Sequence, residues 1–175
     1  DDGKSITVDS TGNVYVTGYT SSSDYPRTAG AYVGGGGSTD VAISKLSSDL
    51  STLIASTVLG GNVLERVRSI IVDSIGDVYV TGETLSSDFP TTIGAYDSSF
   101  NGSSSSYFFI SKLSSNLSTL LASTFLGGTV DDYGRSITLD STGNVFLTGY
   151  SNSSNFPSTP GVYDLTLEGG FDITI

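Results

Sequence analysis

Ser5-Ile6-Thr7-Val8-Asp9-Ser10-Thr11-Gly12-Asn13-Val14-Tyr15-Val16-Thr17-Gly18 reads as two short strands around one tight turn. β-Branched and aromatic residues fill both arms, a composition that fits a pleated, half-buried surface. Between the arms, Asp9 can accept hydrogen bonds from backbone N–H groups, and Gly12 can adopt the positive φ of a hairpin turn. The stretch returns as Ser69-Ile70-Ile71-Val72-Asp73-Ser74-Ile75-Gly76-Asp77-Val78-Tyr79-Val80-Thr81-Gly82. It returns again as Ser136-Ile137-Thr138-Leu139-Asp140-Ser141-Thr142-Gly143-Asn144-Val145-Phe146-Leu147-Thr148-Gly149. Self-similarity at this period marks a repeat architecture.

Outward from the hairpin, a second block recurs. Ile43-Ser44-Lys45-Leu46, then Ser56-Thr57-Val58-Leu59-Gly60-Gly61, matches Ile110-Ser111-Lys112-Leu113, then Ser123-Thr124-Phe125-Leu126-Gly127-Gly128. Each unit therefore holds four strand candidates: a at residues 5–9, b at 14–20, c at 41–46 and d at 53–59. Short links join a to b, c to d and d to the next a, which gives an antiparallel meander. The b–c link is longer. It carries Asp24-Tyr25-Pro26 and Ala31-Tyr32, repeated as Asp88-Phe89-Pro90 and Ala95-Tyr96, then Asn155-Phe156-Pro157 and Val162-Tyr163. Recurring aromatics predict an ordered loop packed on the sheet, with variable later parts at 34–37, 103–106 and 168–170.

Strands b and c offer apolar groups on both faces, as in Val14, Tyr15 and Val16 or Val41, Ala42 and Ile43. A sheet buried on both faces needs a layer on each side. Radially stacked sheets meet that need, so the expected fold is all-β, built of four-stranded β-propeller blades in an incomplete array of under three. A linear solenoid of stacked sheets is the alternative. The expected units are blade 1 at 1–68, blade 2 at 69–135 and a partial blade 3 at 136–175, with its strand c at 171–175. By this alignment a strand d is expected before Asp1 and another after Ile175. An open edge at each end is a template for strand addition, in a ring or a filament.

The formal net charge is −11, from 18 acidic groups against seven Lys and Arg. Such a surface repels phosphate backbones, which argues against nucleic acid as a partner. No run of about 18 apolar residues is present, so no membrane-inserted helix is expected. With neither Cys nor His, thiolate or imidazole metal sites and Ser-His triads are excluded. A low-charge, Ser/Thr-rich β-repeat suits the cell exterior or surface.

Linked motifs carry a resemblance. Asp-Ser-Thr-Gly-Asn-Val-Tyr-Val-Thr-Gly from Asp9, Ser-Asp-Phe-Pro-Thr-Thr from Ser87, Gly-Ala-Tyr-Asp from Gly94 and the Lys-Leu-Ser-Ser runs from Lys45 and Lys112 are similar to the bacterial and archaeal β-propeller repeat family SBBP. The resemblance implies a propeller within large secreted or surface proteins. It implies no reaction and no catalytic residue.

Candidate sites come from aligned side chains. Asp9, Asp73 and Asp140 start hairpin turns, where a structural role is expected. Asp24, Asp88 and Asn155 align, and the Asn points to hydrogen bonding. Lys45 and Lys112 end strand c, where they can snorkel or pair with a carboxylate. Asp1, Glu65 and Asp132 align, as do Lys4, Arg68 and Arg135. Both sets lie in the link into strand a, where they could form a channel-mouth ring of alternating charge or a set of inter-blade ion pairs. Asn101, Asn116 and Asn152 begin glycosylation sequons in expected loops. No cofactor is expected; a Ca²⁺ site, which would want oxygen ligands, is the lesser reading. The leading functional expectation is a non-enzymatic extracellular structural or adhesion module, possessing open edges for other copies or for adjoining blades of a longer chain. Binding of surface glycans is the alternative. A polysaccharide-active enzyme using carboxylates such as Glu83 or Glu168 is the third.

Overall fold

The computed structural model describes residues 1–101, 105–161 and the strand Asp172–Thr174. Eleven strands are seen among them, and no helix. They are β1 (Asp2–Val8), β2 (Val14–Thr20), β3 (Asp40–Leu46), β4 (Leu53–Leu59), β5 (Glu65–Val72), β6 (Val78–Thr84), β7 (Tyr107–Leu113), β8 (Leu120–Leu126), β9 (Asp132–Leu139), β10 (Val145–Ser151) and β11 (Asp172–Thr174). Two four-stranded sheets run β1-β2-β3-β4 and β5-β6-β7-β8, and a three-stranded sheet runs β9-β10-β11, all antiparallel. These are open meanders, the shape of propeller blades, stacked without closing into a ring.

The sheets pack through their first strands, β1 beside β5 and β5 beside β9. One hydrogen bond repeats at both junctions. The Ser5 hydroxyl accepts from Ile70 N–H of the next sheet at 3.4 Å, and the Ser69 hydroxyl accepts from Ile137 N–H at 3.4 Å. The middle sheet is covered on both sides, so every residue of β6 is buried. Equivalent strands at the ends of the stack are more open. Ile6 on β1 is 67% exposed, whereas its counterpart Ile70 is 5% exposed. Tyr15, Ile43, Val78, Phe89, Tyr107, Phe109, Leu117 and Phe125 belong to one core that runs between the first two sheets and through the second.

Strands b and d begin and end where the repeat predicts, at Val14–Thr20 and Leu53–Leu59. Strand a does not start at residue 5. It starts at Asp2, and at Glu65 and Asp132 in the next two sheets. A β-bulge explains the difference. Pairing shifts by one residue at Lys4, Arg68 and Arg135, which hides the alternation of the residues before it. Opposite the bulge stand Gly18, Gly82 and Gly149. A Cβ on Gly82 would lie 2.1 Å from the Arg66 carbonyl oxygen, so only glycine fits.

The b–c loops are ordered where described, as their aromatics predict. Thr28 N–H donates to the Ser56 carbonyl at 3.1 Å and Ser56 N–H donates to the Thr28 hydroxyl at 3.0 Å. Thr92 and Ser123 repeat both contacts. Val162, Tyr163, Glu168 and the variable segment at 168–170 lie outside the described residues, as do residues 103 and 104 of the segment at 103–106.

Candidate functional site

Three sets of polar side chains repeat at each sheet, and each has a definite job. The first is the a–b turn. Asp9 Oδ1 accepts from the Thr11 and Asn13 N–H groups, both at 2.9 Å, and from the Thr11 hydroxyl at 2.7 Å. Its Oδ2 accepts from Asn13 Nδ2 at 2.9 Å and from the Tyr15 hydroxyl at 3.2 Å, with Lys45 Nζ 3.7 Å away. Burial opposes the charge of Asp9, but the Thr11 and Asn13 donors outweigh it and hold the carboxyl below the ordinary carboxylate range. Asp140 is held down to about 2 by Asn144 and Thr142 in the same way. At the second turn Lys112 reaches Asp73 at 3.3 Å and Asp77 at 3.0 Å, and it lies 4.9 Å from the Tyr79 ring centre.

The second set lies where a d–a link meets the following b–c loop. Glu65, fully buried, accepts from the Thr84 hydroxyl at 2.7 Å and from Gly61 N–H at 3.2 Å. Asp132, also fully buried, accepts from the Ser151 and Ser153 hydroxyls and from Gly128 N–H at 2.7 Å. Asp1 accepts from Thr20 and Ser22 in the first sheet and remains exposed. Burial pushes the Glu65 carboxyl up to about 7, against the Ser86, Thr84 and Gly61 donors that favour its charge. The neighbouring Asp40 carboxylate pushes the same way. Burial raises Asp132 as well. The glycine pair before each acid makes room for it. A Cβ on Gly60 would lie 2.2 Å from Asp40 Oδ1 and 2.4 Å from Glu65 Oε2. Beside this node, Asp88 accepts from Asn62 N–H at 2.9 Å, and Asn155 takes the equivalent bond from Thr129 at 3.1 Å. An amide that replaces a carboxylate here shows a hydrogen-bonding role that needs no proton transfer.

The third set is the bulge cations. Arg68 grips Glu83 with two bonds, Nε at 3.1 Å and Nη2 at 2.5 Å. Lys4 pairs with Asp2 at 2.7 Å and lies 4.9 Å from the Tyr19 ring centre. Arg135 lies 4.6 Å from the Tyr150 ring centre and donates to its hydroxyl. The Glu83 bond comes first in holding the Arg68 charge. The three cations stand at equivalent bulges of β1, β5 and β9, which pack side by side, so the row spans all three sheets.

Lys4, Arg68 and Arg135 thus come together as a row, but Asp1, Glu65 and Asp132 do not join it. Glu65 and Asp132 point into the junctions, and the carboxylates in the row are Asp2 and Glu83. With the sheets open, the described residues enclose no channel mouth. Glu83, which the sequence offers as an enzyme carboxylate, is the ion-pair partner of Arg68. The recurring Thr20-Ser21-Ser22, Thr84-Leu85-Ser86 and Ser151-Asn152-Ser153 were the sequence signal for the buried acids, since hydroxyls two residues apart can bond one carboxylate.

Asn101 and Asn116 are exposed, and Asn152 is half-buried beside buried Ser153. Asn116 Oδ1 accepts from Ser114 and Ser118 within the c–d turn, while residues 102 and 103 of the first sequon lie outside the described residues. Among the described residues no three carboxylates converge to hold a metal ion.

Open four-stranded meanders stacked through their first strands, with the same polar node at each junction, define a repeat protein of the β-propeller type. The chain belongs to the SBBP family of β-propeller repeats, which matches residues 1–26, 60–90 and 118–157, more than half of its length. The second and third matches run from the d–a link or the end of the c–d turn through the a–b hairpin, so they enclose the bulge, the buried acid and its hydroxyl donors. No curated protein matches the chain.

Proposed function

We propose that the chain is a non-enzymatic structural and adhesion module of an extracellular or surface protein, built to join further blades face to face. The observation that carries this reading is a mismatch in burial between equivalent residues. Ile6 and Val8 are exposed on the first sheet, whereas Ile70 and Ile137 are buried between sheets. At the other end Phe146 is half exposed, whereas its counterparts Tyr15 and Tyr79 are buried. The two ends therefore present complementary halves of an interface that the molecule already uses twice. Apolar surface of this kind favours association in proportion to the area removed from water. Adjoining blades of a longer chain, or other copies in a ring or filament, supply the missing halves.

Sedimentation of the chain across a wide concentration range tests this directly. Association is expected to rise with concentration and to be abolished by Ile6→Lys, which leaves the buried core untouched. A chain that stays monomeric at millimolar concentration, or associates equally well with Ile6→Lys, overturns the reading. Carbohydrate binding is the second reading, and it rests on Tyr96, a repeat aromatic left 72% exposed and open to sugar stacking.

A further inference from the structure

The second sheet carries a hollow of about 310 Å³, lined by Ile93, Tyr96, Ile110, Leu121, Ala122 and, from the third sheet, Val145. Its counterpart on the first sheet is filled. There Leu117, from the c–d turn of the second sheet, is fully buried in the core with Tyr15, Ile43 and Ala55, and Tyr32 packs against it. Tyr32 N–H donates to the Leu117 carbonyl at 2.8 Å. The leucine reaches this place because its backbone is left-handed, with φ of 57°. The same turn in the first sheet holds Leu50 at φ 60°, 61% exposed. Both described c–d turns thus carry a leucine knob, and Leu117 is seated on the sheet before its own.

We propose that the hollow on the second sheet is a seat for the leucine of another repeat's c–d turn, entering as the outer hairpin of the third sheet. This rests on the face-to-face reading and names its anchor. Three observations select that occupant. The hollow continues an interface already formed, since Val145 of β10 is one of its walls. Its wall residues match those of the filled seat, Ala122 for Ala55, Ile110 for Ile43 and Tyr96 for Tyr32. The Ser-Ser-(Asp/Asn)-Leu-Ser turn recurs in both complete sheets with the leucine in the same left-handed conformation, which the turn itself sets, since Leu50 keeps it while exposed and so arrives already shaped for a seat. The knob's carbonyl would accept from Tyr96 N–H, as the Leu117 carbonyl does from Tyr32.

A synthetic peptide with the sequence of residues 113–126 carries the turn and a strand d, and it can be titrated into the full chain. Saturable binding is expected, with slowed amide exchange at Tyr96. Binding should weaken at least about tenfold when the peptide carries Leu117→Asp, or when the protein carries Ala122→Arg at this exposed wall. Equal binding of the Leu117→Asp peptide would overturn the proposal, because the strand alone would then suffice. So would protection of Tyr96 by an oligosaccharide but not by the peptide. Failure here with concentration-dependent association intact leaves face-to-face stacking standing and removes only the leucine anchor.

Discussion

Glu65 is a carboxyl buried with hydroxyl and amide donors but no cation among its bonded partners. Its ordinary value is 4.5 and burial carries it to about 7, so the folded chain binds that proton more tightly than the unfolded chain. The stability it contributes is present below pH 4.5 and is lost as pH rises through about 7. Asp132 acts in the same direction. Asp9 and Asp140 act oppositely, because their depressed values contribute stability above about pH 4 that is lost on acidification. Stability should therefore peak below neutrality. Unfolding free energies from urea titrations between pH 5 and 8 should fall for the parent chain, by an amount on the order of 3 kcal/mol, and fall much less for Glu65→Gln. A parent profile as flat as that of Glu65→Gln would show that the carboxyl ionises freely. These acids were visible in the sequence as an aligned set, yet not as buried ones. Alignment gives the position of Asp1, Glu65 and Asp132, while burial depends on which neighbours Thr84 and Ser86 bring in from the following strand.

At the level of single elements, the bulged strand a is the distinctive piece. Strands b and d were legible to the residue, because Gly12-Asn13 and Gly60-Gly61 bound them and their apolar residues recur intact. Strand a was not, since the extra residue at Lys4, Arg68 or Arg135 breaks the two-residue alternation on which strand reading depends. The bulge needs the glycine opposite. Gly82→Ala should cost about 3 kcal/mol, because its Cβ meets backbone that cannot swing aside. Gly3→Ala, where nothing lies within 4 Å, should change stability by less than about 0.5 kcal/mol. Equal urea midpoints for the two variants would show that the strand relaxes around the added methyl.

Across the whole molecule, protection follows place in the stack more than sequence. Strands β2, β6 and β10 have nearly the same residues, yet only β6 is buried along its full length. Hydrogen exchange should accordingly be slowest in β6 and at least about tenfold faster in β10, where one face is open. Uniform exchange over the three sheets would mean that the stack opens only as a unit. The sequence showed the repeat but could not show this gradient, because the residues of Val78-Tyr79-Val80 and Val145-Phe146-Leu147 differ little while their neighbours differ entirely. The bond from Ile70 N–H to Ser5, renewed between Ile137 and Ser69, carries a consequence for ancestry. Each unit brings both halves of that connector, the hydroxyl on one side and the N–H on the other. A gene that gains one more unit by slippage or unequal crossover therefore encodes a protein whose new joint fits at once, with no compensating change elsewhere. Copy number can drift in such a lineage while the fold of every unit stays the same.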